Sequence, residues 1–323
     1  MRSPATLSLL LLFAACASAE PRREPAVEEV DHARKMQEED QKRRDVRAVL
    51  VRLDQAMDSY VQAISRQGEF RADATADRLY KLINETVLDR GAYRPNQPRP
   101  APGETLAMLK GRAVDGSNVD EQGIALAALG FSGQPEVMET ILSGAQLTDP
   151  YLVDRAVLGL AVLQAPTTRP GVLEQIVLRA THPEDGRVQA AWALFRIQQV
   201  VEGQAPFVAI WQRLLTEHRD TLPGGVLVTA VRGLGFTRDA KHADLVASFL
   251  KHPTPRVKMA AALAIGRMKS QPHWEQLLAL LDPQETVQNV RLAAVKALVE
   301  LAGGVDHQYD VAAWRKTFDR GRL

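Results

Sequence analysis

The chain has one cysteine, Cys16, in 323 residues. No internal disulfide can form, so the fold depends on packing alone. Aromatic residues make up only 5% of the sequence, against 46% hydrophobic residues overall. An alanine- and leucine-rich composition poor in aromatics suits closely packed helices better than sheets. No apolar run approaches the ~20 residues needed to span a bilayer. The formal net charge of +1 gives no reason to expect nucleic-acid binding. The seven histidines are scattered, with no pair at i, i+4 and no zinc-protease motif. There is no phosphate loop and no serine in a nucleophile elbow. Carboxylate pairs such as Asp120-Glu121 lie at expected helix starts, where acids cap orphan amides and complement the dipole. Neither a metal site, a cofactor nor a catalytic constellation is expected.

The N-terminus reads as a targeting segment over residues 1–19. Arg2 supplies a positive start, Leu7 to Ala15 is short and apolar, and Ala17-Ser18-Ala19 precedes Glu20 as a small-x-small cleavage site. The expectation is an exported chain of the periplasm or cell envelope. Phe13-Ala14-Ala15-Cys16 resembles a bacterial lipobox, with Phe13 where an aliphatic residue is usual. That resemblance implies lipidation of Cys16 and a membrane tether. A cut after Ala19 removes Cys16, and the two readings stay open.

Residues 20–90 read as a charged, then amphipathic, helical segment. Residues 20–52 carry nine acidic and nine basic side chains. Asp31/Lys35, Glu38/Lys42, Glu39/Arg43 and Asp40/Arg44 fall four apart with the acid first, the better order for a helix. This stretch is a solvated helix or disordered. Val46, Val49, Leu50, Leu53, Met57, Tyr60, Val61 and Ile64 then form an apolar stripe at helical spacing. A second helix is expected from Asp73 to Leu88, with Leu79, Leu82, Ile83 and Val87 inward. Residues 91–103, GAYRPNQPRPAPG, hold four prolines and read as a stiff linker and a domain boundary.

Beyond the linker one pattern returns six times: a small residue, an apolar or small residue, any residue, a small residue, then Leu or Ile. The copies begin at Ala125, Ala156, Ala190, Ala230, Ala261 and Ala294, spaced by 31, 34, 40, 31 and 33 residues. Such a period marks a helical solenoid. Small residues one turn apart allow a neighbouring helix to come close, and the Leu or Ile fills the gap between layers. Bulkier first helices precede several copies, with prolines between the two helices at Pro150, Pro183, Pro223, Pro253 and Pro283. The fourth copy follows an insertion around Val200 to Pro206. The fold expected is all-α, a solenoid of about six helix pairs over residues 104–303, preceded by the N-terminal helical segment and closed by a tail over 304–323.

Arg256-Val257-Lys258 and Asn289-Val290-Arg291 opening the second helix, with Ala264-Ile265-Gly266 following, resemble HEAT repeats. Most of all they resemble the short HEAT-like repeats of phycobilin lyases. The third copy departs from the pattern, with Phe195 where glycine is common. Tyr309-Asp310 and Ala312-Ala313-Trp314-Arg315 look like the tail that closes some bacterial HEAT-repeat proteins, which implies that Trp314 caps the last repeat. The resemblance implies a concave face lined by the second helices. Some proteins of similar fold are chromophore lyases or DNA glycosylases, whose cytoplasmic substrates conflict with export.

Charge is polarised along the repeats. Residues 101–165 hold three basic and eight acidic residues, whereas 224–300 hold ten basic and six acidic. Arg232, Lys258, Arg267, Arg291 and Lys296 recur at related positions of the later second helices. Given the resemblance, they form a basic ladder along the C-terminal half of the groove, able to steer an acidic partner. An ordinary solvated face is the alternative. Trp192 occupies the variable slot held elsewhere by Ala127, Leu158, Arg232, Leu263 and Lys296, and is either core or a binding aromatic. The function expected is an exported scaffold that binds a protein or peptide partner. An enzyme subunit of the lyase type and a structural envelope lipoprotein are the alternatives.

Overall fold

The structure is a computed structural model describing residues 27–66, 74–91, 100–284 and 287–320. The targeting segment, Cys16 and most of the proline-rich stretch (92–99) lie outside the described residues. Two units are present, residues 1–49 and 50–323, and their boundary falls inside a helix.

Helix α1 (Val27–Arg66) begins in the first unit. There its side chains are almost all exposed, and pairs such as Arg34–Glu38, 3.1 Å apart, lie on its surface. Exposed i, i+4 pairs contribute about 0.3–0.5 kcal/mol each. This part is therefore a solvated helix rather than part of a core.

In the second unit the rest of α1 buries Leu50, Leu53, Met57 and Tyr60. Helix α2 (Ala74–Val87) follows, with Ile83 and Val87 buried. Two residues expected inward are not: Val61 is 36% and Leu82 53% exposed. Each neighbours a buried residue, Tyr60 or Ile83. Successive helical side chains are about 100° apart, so only one of each pair points at the core.

Six helix pairs come next. They are α3 (Glu104–Val114) with α4 (Val119–Gly130), α5 (Met138–Ala145) with α6 (Pro150–Leu163), and α7 (Pro170–Leu178) with α8 (Glu184–Gln198). The remainder are α9 (Ala205–Thr216) with α10 (Gly224–Phe236), α11 (Ala243–Ala247) with α12 (Pro255–Arg267), and α13 (Trp274–Ala279) with α14 (Gln288–Leu301). The molecule is an all-α solenoid of six pairs after an N-terminal helical segment, and the described residues contain no strand. Helix α15 (Val311–Arg320) ends it. Trp314 of α15 is fully buried, and Phe318 stacks on Trp274 of the last pair with ring centroids 5.2 Å apart.

Each small-residue signature sits in a second helix, and all six leading alanines are fully buried. Their purpose is visible at the glycines. A Cβ on Gly130 would stand 2.2 Å from the carbonyl oxygen of Gly159 in the next second helix. One on Gly235 would meet Ala264, and one on Gly266 would meet the Cα of Ala297 at 2.8 Å. At these junctions the second helices touch almost backbone to backbone. Between α8 and α10 the glycine is replaced by Phe195, which meets Phe236 edge to face at 6.0 Å. There the side chains hold the helices apart.

Helix ends are sealed by amides from the preceding layer. A helix leaves its last four carbonyls without partners. Asn84 donates to the carbonyl of Phe131 (2.6 Å), Gln164 to that of Arg196 (2.7 Å), Gln198 to that of Gly233 (3.0 Å) and Gln271 to that of Leu301 (2.7 Å). Gln198 is wholly buried and also accepts from Trp211 Nε1 at 2.8 Å. At the other end of the array, the buried carboxylate of Asp89 accepts from the amide and hydroxyl of Thr105 at the start of α3.

Two substitutions separate these effects. Gly130→Ala is expected to destabilise by about 1–3 kcal/mol, because the neighbour is backbone and cannot yield. Gly111→Ala, at an exposed helical site with nothing within 4 Å, is expected to stabilise by about 0.5–1 kcal/mol. Urea unfolding that gave the two the same sign would refute the close-stacking account. Gln198→Leu is expected to cost about 2–4 kcal/mol, since it strands two buried groups. The same change made in a Trp211→Phe background should cost clearly less.

Candidate functional site

The second helices form the tighter layer, because they are the ones in near-backbone contact. Their side turned away from the first helices is termed the inner face of the array. Side chains reach that face in three rows, counted from the first small residue of each signature: two before, two after and six after. The guanidinium of Arg196 lies 5.7 Å over the Trp192 ring, which fixes the second and third rows on one side of the helix.

Over the first two pairs this face is sealed. Ala127, Leu158 and Val162 are buried. The chain's own α1 and α2 make the contacts there. Arg155 of α6 binds Asp54 of α1 at 2.7 Å and reaches Asp58 at 3.7 Å, and its guanidinium lies 5.2 Å over the Tyr151 ring. Burial works against the Arg155 charge, but Tyr151, Asp54 and Asp58 more than offset it and raise its pKa. Tyr60 of α1 meets Phe131 at the end of α4 edge to face at 5.1 Å, and Tyr80 of α2 packs on the same ring at 5.7 Å. Burial raises the pKa of the Tyr60 phenol, and the nearby positive charge of Arg196 opposes that rise.

Over the last four pairs the same rows are only part-covered. Val188, Val228 and Met259 are half-buried, and Leu292 is 42% exposed. In the second row stand Trp192, Arg232, Leu263 and Lys296; in the third stand Arg196, Phe236 (38% exposed), Arg267 and Glu300. The result is an apolar strip edged by cations.

The five cations read from the sequence are divided by the structure. Arg232, Arg267 and Lys296 lie in the rows just described, on the same face as Trp192. Lys258 and Arg291 sit three residues before their signatures, about 140° around the helix from the second row. Arg187, in the same row as these two, shows the direction taken: its Nε donates to the carbonyl of Val177 in the first helix of its own pair at 2.8 Å. Arg291 stacks over Tyr309 of the C-terminal tail at 4.7 Å. Sequence spacing alone suggested one ladder. Arg196 was missed, although it stands one helical turn after Trp192. Cys16 lies outside the described residues.

Among the described residues no group of three or more His, Cys, Asp or Glu is placed to hold a metal ion. No helix among them is long and apolar enough to cross a membrane.

Two stacked layers of helix pairs, with small residues in the second helices, define an α-helical repeat solenoid. Residues 213–299 match the family of HEAT repeats. No curated protein matches the chain. Among solved structures, an engineered protein is similar at 18% identity over 61% of this chain and 96% of its own, with a TM-score of 0.44. The complex of CpcE and CpcF of phycocyanin lyase from Nostoc sp. PCC7120 is similar at 13% identity, covering 81% of this chain and 92% of that chain, with a TM-score of 0.38.

The docking of α1 rests on a part-buried, charge-assisted bond. A double-mutant cycle of Asp54→Asn and Arg155→Gln, read by urea unfolding, should show a coupling of about 1 kcal/mol. Amide exchange over residues 50–66 should speed up in either single variant and no further in the double.

Proposed function

We propose that this chain is an exported, non-catalytic scaffold that holds a protein or peptide on the inner face of its last four helix pairs. One observation carries the reading. Among the described residues, α1 and α2 cover that face over the first two pairs, whereas over the rest it is an apolar, cation-edged strip that is part-exposed. Contiguous apolar surface of this kind, rimmed by polar groups, characterises interaction sites. The Trp192–Arg196 pair adds the residue types that dominate binding energy at interfaces. Export is supported by the charged start, short apolar stretch and Ala-Ser-Ala of residues 1–19. The solvated first half of α1 serves as a spacer or a second point of contact.

A photo-crosslinking residue placed at Leu263, on the inner face, is expected to capture one discrete protein in the native envelope. The same residue at Glu275, on a first helix, should not capture it. Equal capture at both positions, or none at Leu263, would reject the scaffold reading. Intact mass tests the compartment: the mature chain should begin at Glu20, whereas a start at acylated Cys16 would replace simple secretion with a lipid anchor.

A further inference from the structure

The geometry points to the kind of partner: the open half of the inner face takes an acidic amphipathic helix from another protein, in the manner in which the covered half takes α1. This inference rests on the scaffold reading above and narrows it to one chemistry.

The covered half provides the template. From Leu50 onward α1 presents Leu50, Leu53, Met57 and Tyr60 as a buried apolar stripe, with Asp54 and Asp58 beside it on Arg155. An apolar stripe with acids along one edge is thus a shape this face already accepts. The open half repeats the receiving surface. Val188, Val228, Met259 and Leu292 supply the apolar row, Trp192 and Leu263 widen it, and Arg196, Arg232, Arg267 and Lys296 edge it.

Charge on the face itself is one-sided. In the three rows the last four pairs carry Arg196, Arg232, Arg267 and Lys296 against the carboxylate of Glu300, a net of +3. In the covered half Arg155 receives Asp54 and Asp58 of α1 in the same way. Complementarity selects an acidic occupant and disfavours a basic one, because like charges brought together at an interface are strongly unfavourable.

Spacing sets the length. Neighbouring helices pack about 8–10 Å apart, so α8 to α14 spans about 24–30 Å. At 1.5 Å per residue a helix crossing all four needs about 16–20 residues. One layer corresponds to about five to seven residues, so acids seven apart would keep one edge and fall close to one per layer. The apolar residues between them would recur at i, i+3, i+4 and i+7, as in other helices bound in grooves.

The probe is a fluorescent 20-residue helical peptide with Glu at every seventh position and Leu along the adjacent stripe. The full-length protein is titrated against it by anisotropy. Saturable micromolar binding is expected. A peptide with Lys in place of those Glu residues should bind at least tenfold more weakly, as should a scrambled peptide of unchanged composition. Reversing the inner edge with Arg232→Glu, Arg267→Glu and Lys296→Glu should invert the preference between Glu and Lys peptides. Reversing Lys241, Lys251 and Lys269, exposed away from this face, changes the net charge equally and should leave both affinities within twofold. If the triple inner-edge variant unfolds, Arg→Gln and Lys→Gln at the same sites should erase the preference instead. Equal affinity for Glu and Lys peptides overturns the inference, as does binding to phosphatidylglycerol vesicles but to no peptide. If the peptides fail while the Leu263 crosslink still captures its protein, the scaffold stands and only the acidic-helix assignment falls.

Discussion

The near-backbone contact between successive second helices governs this molecule. An alanine or glycine at two positions one turn apart lets α4 reach α6, α10 reach α12 and α12 reach α14 closely enough that a methyl on Gly130 would overlap the peptide of Gly159. The first helices carry larger residues and cannot approach so far. The second helices thus form the tighter layer, and their outward side is the face that α1 and α2 partly cover. The rows of side chains on that face follow from where the small residues must point. Once the signature faces the neighbouring helices, positions two and six residues later fall on the outward side.

That constraint explains why so much of the fold was legible in sequence. Six copies of a five-residue pattern located six second helices, and the prolines between the helices marked the joints. What sequence did not disclose were features that depend on the third dimension. Lys258 and Arg267 share a helix and a charge, yet nine residues is two and a half turns, so they lie on opposite sides. Gln164, Gln198 and Gln271 look like ordinary polar residues in a list of letters. Their partners are carbonyls about 30–35 residues further along, and nothing in the local pattern announces them. The docking of Asp54 on Arg155, 101 residues apart, was equally out of reach.

The candidate site was partly legible for the same reason. Trp192, Arg232, Arg267 and Lys296 could be picked out because the repeat register fixes their side of the helix. The extent of the open face could not, since it depends on how far the chain's own α1 and α2 reach across it. Their reach is set by few contacts: an aromatic cluster of Tyr60, Tyr80 and Phe131, the Asp54–Arg155 bond and the amide of Asn84. A long array with one sealed end and one open end is the outcome, and the two ends differ in charge as well as in cover.

The junction between α8 and α10 is spaced by other means. Where glycine or alanine brings backbones together, a layer behaves as a stiff joint, since neither side can be compressed. Phe195 against Phe236 substitutes two rings, edge to face at 6.0 Å. Across the same junction the buried Gln198 donates to the carbonyl of Gly233 and accepts from Trp211 Nε1. Rings and a buried amide, rather than touching backbones, therefore set the spacing of the third and fourth pairs beside Trp192 and Arg196.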